Sequence, residues 1–456
     1  MAGLFGSLTI ATSGLTAART GLDVTGQNIA NVNTTGYVRR RMDLAEIAPN
    51  ASMQAGRGVE VLQIRALRDH YLETQLAREQ GGRASDETTL AGLRGVDAMI
   101  GLPGESLDVQ ITSFFDAFSL LASDVTSAPA REGVVRAGQA LGDAFNALST
   151  RLTDAQAVHN QSIVAAVSEF NSLATRVAQL NARIVTGGVD VEALRDERTT
   201  ALAGMAELAN ISLIERPDGA VDVTVSSGHA LVVGANAYPV TATPEPPSGF
   251  VSLHLADFDV TGKVTGGRIG ALIDLRDTTI PSYQAAVDRL AYDIATQVNA
   301  VHATGVDSQG GAGGPFFTPP ASVTGAAATL SVSATVAADA GMVAASGTAA
   351  AGDNQVARAI AALRESRVMS GGSATAAEAW ANIAYQVGSD ISAAQASLGT
   401  REQIVKQLQR LRDQQSGVSF DEEAANLIRY QRSYEASARY FTTILDTLDS
   451  LMAMVR

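Results

Sequence analysis

Between Phe420 and Val455 the chain places apolar or aromatic residues in alternating steps of four and three. The positions are Phe420, Ala424, Leu427, Gln431, Tyr434, Ala438, Phe441, Leu445, Leu448, Met452 and Val455, and only Gln431 is polar. An average step of about 3.5 residues keeps a narrow seam on one side of a helix and asks for a second helix to cover it. Ser419, followed by Asp421, Glu422 and Glu423, sets a cap and negative charge where a helix start favours them. Neither Gly nor Pro follows. A rod of this kind, roughly 50 Å long at ~1.5 Å per residue, cannot bury its stripe alone.

The other end of the chain offers a matching seam. Leu4, Leu8, Ala11, Leu15, Ala18, Leu22, Thr25, Ile29 and Val32 keep the same alternation, with only Thr25 polar. The economical reading is that the two ends pair with each other, or with copies of themselves in neighbouring subunits. Two unrelated amphipathic helices on one globular core are the alternative, but ordinary surface helices carry a wider stripe and are shorter.

Between the ends the pattern is mainly helical. After a turn-rich run from Asn31 to Gly36, an extended stretch carries Arg39, Arg40 and Arg41 and ends near Pro49-Asn50, and a short strand fits Gly58 to Leu67. Three adjacent arginines in an acidic chain read as a solvated face, or as a patch that meets an acidic neighbour in an assembly. Helical periodicity covers His70 to Gln80 and Asp86 to Ile100, and Leu102-Pro103-Gly104 breaks it. Ser106 then caps a Phe-rich helix that Pro129 ends. A second long rod spans Arg131 to Thr186, with one extra four-residue step at His159, the mark of a stutter. Val191 to Ala209 makes a shorter return helix.

From Ile211 to Leu255 the period switches to two, broken by Pro217-Asp218-Gly219, Ser227-Gly228 and Gly234-Ala235-Asn236. These hairpin signals imply a small antiparallel β domain, 210–265, inserted in a helical body. Gly270 to Ala303 returns to helix, interrupted at Pro281; 305–352 is a low-complexity loop or weak strands packed on that body. The expected class is mainly α with a β insert: a terminal coiled-coil domain (1–66 with 416–456), an elongated helical-bundle body (67–209 with 266–304 and 353–415) and the β domain.

Several residue runs carry a family resemblance. Gln27-Asn28-Ile29-Ala30-Asn31-Val32-Asn33-Thr34-Thr35-Gly36-Tyr37 resembles the signature of bacterial flagellar axial proteins, the rod, hook and hook-associated subunits. The tail from Asp421 to Arg439 is similar to that of a hook-associated member. So are Arg195-Asp196-Glu197-Arg198, Gly228 to Gly234 and Gly266 to Leu272. Val32 and Thr35 depart toward the rod and hook pattern. The resemblance implies a structural subunit at the hook–filament junction, exported unfolded through the flagellar type III apparatus to an extracellular place on the flagellum. Its implied partners are itself in a ring or helical array, hook protein, a second junction protein, flagellin-type neighbours, and a cytoplasmic export chaperone beforehand. Expected assembly residues are the seam positions at both ends, with Asn31, Asn33, Thr34, Gly36 and Tyr37 as the family turn. Another axial subunit, or an exported adhesin, is the competing reading.

Composition excludes other classes. At 456 residues the chain has room for two to four domains. A net charge of −14 argues against a nucleic-acid partner. No apolar run reaches the ~18 residues of a membrane span, and the N-terminus lacks the basic region of a Sec signal. With no cysteine, disulfides and thiolate sites are impossible. His70, His159, His229, His254 and His302 show no ligand spacing, and Gly310-Gly311-Ala312-Gly313-Gly314 lacks the lysine of a phosphate loop. No cofactor, metal or catalytic constellation is expected.

Overall fold

The computed structural model describes residues 2–34, 36–48, 56–101, 106–188, 191–225, 228–350 and 352–455. Thr35, Pro49-Asn50, the Leu102-Pro103-Gly104 break and Ser227 lie outside the described residues, as does the side chain of Val455. Helix α1 (Ala2–Ala30) is followed by an antiparallel hairpin, β1 (Arg40–Glu46) and β2 (Val59–Ala66). Helices α2 (His70–Ile100), α3 (Leu107–Ser123), α4 (Ala128–Thr186) and α5 (Val191–Leu208) come next. Strands β3 (Ile211–Glu215), β4 (Val221–Val225), β5 (Ala230–Val233) and β6 (Asn236–Ala237) form one meander. Strands β7 (Val240–Glu245), β8 (Phe250–Leu255) and β9 (Phe258–Asp259) form another. Helices α6 (Gly267–Asp274), α7 (Ile280–His302), α8 (Ala326–Thr329), α9 (Ala334–Ala338), α10 (Gln355–Ala362), α11 (Ala376–Ser416) and α12 (Phe420–Val455) complete the chain. The class is mainly α with small antiparallel sheets.

Three local outcomes differ from the sequence pattern, each for a physical reason. Helix α2 continues through Gly81 and Gly82, where two helices were expected. Both glycines serve close packing: a Cβ on Gly81 would meet the Ala206 carbonyl, and one on Gly82 the Arg401 guanidinium. Pro129 opens α4 rather than ending α3; the first helical turn tolerates a residue without N–H. Third, the helical break expected at Pro281 falls just upstream, as a π-turn at Leu275–Thr279. Proline offers no N–H to the Arg276 carbonyl, and the Gln156 side-chain amide of α4 donates to it instead at 2.7 Å. Gln156 sits one turn from the stutter residue His159.

The chain divides into two compact units. One comprises 1–82, 170–239 and 401–456; the other comprises 83–169 and 240–400. The expected single β insert is therefore divided, β3–β6 in the first unit and β7–β9 in the second. The second unit is built on a phenylalanine cluster. Phe114, Phe118, Phe316 and Phe317 are fully buried, with ring centroids 4.9–5.5 Å apart. The 305–352 stretch, expected to pack on the body, supplies part of this core through Phe316, Phe317, Leu330, Val336 and Val343. In the first unit, Val177, Leu180, Met205, Val223, Leu231 and Val232 form a smaller buried set. Helix α1 packs along α12, and the β1–β2 hairpin also lies against α1.

Candidate assembly interface at the paired chain ends

The first unit holds both ends of the chain. Facing residues on α1 and α12 recur a heptad apart and in opposite directions, so the helices are antiparallel. A Cβ placed on Gly14 would lie 3.0 Å from Ser437 Oγ, and one on Gly21 would lie 2.6 Å from the Tyr430 ring. Seven residues further along α1, the Asn28 Nδ2 donates to Glu423 Oε2 at 3.1 Å. The close approach follows from the missing side chains: glycine lets the backbone of α1 come within contact of what α12 presents. Both buried members of the last pair, Asn28 (1 % exposed) and Glu423 (2 % exposed), are polar and need partners.

Those partners come from the segment after α1. Arg39 Nε donates to Glu423 Oε1 at 2.8 Å and its Nη1 to Glu422 Oε2 at 2.5 Å. The Arg39 backbone N–H donates to the Ser416 carbonyl, just before α12. Asn28 accepts from the Arg40 N–H and donates to the Arg40 carbonyl, holding the start of β1 as a strand neighbour would. The Tyr37 hydroxyl donates to Asn28 Oδ1 at 2.8 Å. Arg40 stacks 5.2 Å above the Tyr37 ring and reaches Asp196 on α5, which Arg68 also pairs. Burial pushes the Asp196 carboxyl up to about 6, with the guanidiniums of Arg68 and Arg40 pulling the other way. The three arginines are thus not one solvated face: Arg39 and Arg40 meet acids of the same chain, and Arg41 pairs Asp43 on its own strand.

The turn residues are placed as follows. Asn31 Nδ2 caps the Gln27 carbonyl, Thr34 Oγ1 donates to Asn31 Oδ1, and the Tyr37 N–H donates to the Thr34 carbonyl. Gly36 has φ +82, a left-handed conformation that glycine takes freely. Asn33 is exposed. Of the α1 seam, Ala11, Ala18 and Thr25 are buried, Leu4, Leu8, Leu15, Leu22 and Ile29 half-buried, and Val32 exposed. Of the α12 seam, Ala424, Leu427, Ala438, Phe441 and Leu448 are half-buried. Phe420 (61 %), Tyr434, Gln431, Leu445 and Met452 (67 %) are exposed. Stepping in fours and threes passed over Gly14, Gly21, Asn28, Glu423, Tyr430, Ser437 and Ile444, which is 5 % exposed. The heptad recurrence of small residues, Gly14 to Gly21 to Asn28, was the available signal.

Among the described residues no group of three or more His, Asp or Glu side chains is placed to hold an ion. Among the same residues no helix is long and apolar enough to cross a membrane.

Three family models match successive stretches of the chain. Residues 93–317 match the model of the flagellar hook-associated protein FlgK helical domain. The ends match two others, the flagella basal body rod protein over 8–37 and the flagellar basal body rod FlgEFG protein C-terminal region over 412–454. The Bacillus subtilis protein named flagellar hook-associated protein 1 is 26 % identical, over 99 % of this chain and 98 % of its own. Its Salmonella typhimurium counterpart is 24 % identical, over 97 % and 98 %. The structure of the flagellar hook junction protein FlgK from Burkholderia pseudomallei shares the fold, with a TM-score of 0.66 at 17 % identity over 74 % of this chain and 99 % of that one.

Paired terminal helices bearing rod-protein signatures define a bacterial flagellar axial protein. Within that class the chain belongs to the flagellar hook-associated protein 1 family. The family is one of structural flagellar proteins, not a class of enzymes.

Proposed function

We propose that this chain is a structural subunit of the bacterial flagellum that assembles at the junction of hook and filament. It is a flagellar, extracellular component. The names of the Bacillus, Salmonella and Burkholderia relatives support that place. The observation that carries the assembly role is the one-sided burial of the helix pair. Each terminal helix covers its partner along one side and leaves large apolar groups in water: Phe5, Phe420, Ile428, Met452 and Met454 are all more than half exposed. Exposed apolar groups of that size on a helix pair are a surface for other helices.

The mechanism is packing of these faces against equivalent faces of neighbouring subunits. The seam residues exposed in the single chain, Val32, Phe420, Tyr434, Leu445 and Met452, would then gain most of their burial in the array. Neighbours are copies of this chain in a ring or helical array, hook protein, a second junction protein and flagellin-type subunits. Before export, a cytoplasmic chaperone covers the same apolar groups, and transit through the flagellar type III apparatus needs no cleaved Sec signal. The family turn from Asn31 to Tyr37 sets how the pair leaves the body of the first unit.

Deleting residues 1–40 or 416–456 tests the role. Cells that carry either deletion in place of the intact chain should grow hooks without filaments, scored by electron microscopy, and the truncated chain should not appear in purified flagella. Filaments of normal length from either deletion would refute the assignment.

A further inference from the structure

We propose that the buried Asn28–Glu423–Arg39 knot is the register lock of the terminal helix pair, deciding which heptad of α12 faces which heptad of α1. The inference rests on the geometry of the pair alone and holds wherever the subunit sits in an assembly.

Heptad interfaces are degenerate. Sliding α12 by seven residues returns the same face to the partner, and packing alone discriminates poorly. Here the degeneracy is acute, because Gly14 and Gly21 are interchangeable sockets: one faces Ser437 and the other the Tyr430 ring. A one-heptad slip would put Tyr430 over Gly14 and still seat a ring on a glycine. The third pair does not survive such a slip. Glu423 would then lie against Gly21, away from the Asn28 amide that donates to it. It would also leave the Arg39 guanidinium, which β1 holds in place through the Arg39 N–H to Ser416 and the two Arg40 bonds to Asn28. Glu423 is 2 % exposed, so a slipped register strands a buried carboxylate. Slipping the other way strands the Asn28 amide, itself 1 % exposed. A buried polar pair whose partners exist in only one register is the arrangement by which helix pairs fix register.

The native chain has no cysteine, so introduced pairs report pairing without background. The native-register reporter is Gly14→Cys with Ser437→Cys. A Cβ on Gly14 would lie 3.6 Å from the Ser437 Cβ, within the span of a disulfide. The slipped-register reporter is Gly14→Cys with Tyr430→Cys. Each is placed in the full chain, in Asn28→Leu/Glu423→Leu, and in Glu423→Gln. The intramolecular bond is read after mild oxidation by gel mobility and by the mass of the linked peptide, with circular dichroism to follow helix content. In the parent the native reporter should close and the slipped one should not. In the leucine variant the slipped-to-native ratio should rise about tenfold or more, the factor set by losing a charge-assisted hydrogen bond. Glu423→Gln should fall between. A knot that merely stabilises would lower the melting temperature and leave the ratio unchanged, and that result overturns the proposal. Should the leucine variant lose its helices, the ratio in Glu423→Gln decides.

Discussion

The phenylalanine cluster of the second unit and the helix pair of the first use opposite means to hold helices together. In the cluster, Phe114, Phe118, Phe316 and Phe317 bury whole aromatic rings in edge-to-face and tilted pairs, each a large apolar area withdrawn from water. Along α1 and α12 the contact is made by Gly14, Gly21 and Asn28 against Ser437, Tyr430 and Glu423, with Ile444 the one large aliphatic side chain of α12 that is buried among the described residues. Close approach there replaces area. Phe420 and Met452, large side chains of the pair, stand exposed. The aromatic core closes within one chain, whereas the helix pair leaves large apolar groups in water.

That contrast can be broken most directly in the aromatic core. Phe316→Ala removes a fully buried ring that touches Phe114, Phe118, Phe317 and His302, and should cost about 3–5 kcal/mol. Trp380, the sole tryptophan, is buried in the same cluster and reports its denaturant unfolding by fluorescence. Protease sensitivity of the chain ends under native conditions should not change; if it rose with the same mutation, the two regions would not be separate in kind.

The helix pair makes the opposite prediction for adding atoms. Alanine is the better helix former by roughly 1 kcal/mol, so Gly→Ala in an exposed helix stabilises. At Gly21 the new methyl would meet the Tyr430 ring at 2.6 Å, closer than real contacts allow. Gly21→Ala should therefore destabilise the pair by about 1–3 kcal/mol, read as faster proteolysis of the ends, while Gly26→Ala, with open space around it, stabilises. Equal behaviour at both positions would show that close approach is not what joins the helices.

Much of this contrast was legible in the sequence, and what was not has a common cause. The heptad steps of both ends and the long rod that became α4 were written in local periodicity. The contacting face of α1 was not, because its key members, Gly14, Gly21 and Asn28, are small or polar and score low on any apolar scale. Arg39 and Arg40 read as a solvated patch because their partners, Glu423 and Asp196, lie far along the chain. Asp421, Glu422 and Glu423 read as helix-start charges for the same reason, although Glu423 is buried in the knot. Gly81 and Gly82 read as a break because their packing against Ala206 and Arg401 is equally non-local. Periodicity reports what a segment can do alone; these residues are explained only by what comes to meet them.

The smallest expected effect is also the one that tests the comparison by sign. In the first unit, burial raises the Asp196 carboxyl from its ordinary 3.8 to about 6, so the folded chain holds that proton more tightly than the unfolded one. Its contribution to stability is present below about pH 4 and is lost as pH rises through about 6. Glu73, raised by burial, acts in the same sense. The second unit titrates the other way. His302 is fully buried, accepts the Ala344 N–H at Nε2 and bonds the Gly314 carbonyl through Nδ1, which fixes it as a neutral ring. Burial lowers its pKa below 6.5, as it does that of His159, so their contribution is present above 6.5 and fades as pH falls. Over pH 4–6 the two contributions oppose. The separate slopes emerge as variant minus parent: Asp196→Asn read by hydrogen exchange along α5, and His302→Gln read by Trp380 fluorescence. Asp196→Asn should flatten a stability that falls with rising pH, and His302→Gln one that rises. If the α5 profile instead rises with pH in the parent, the Arg40 and Arg68 guanidiniums outweigh burial at Asp196, and the two units respond to acid alike.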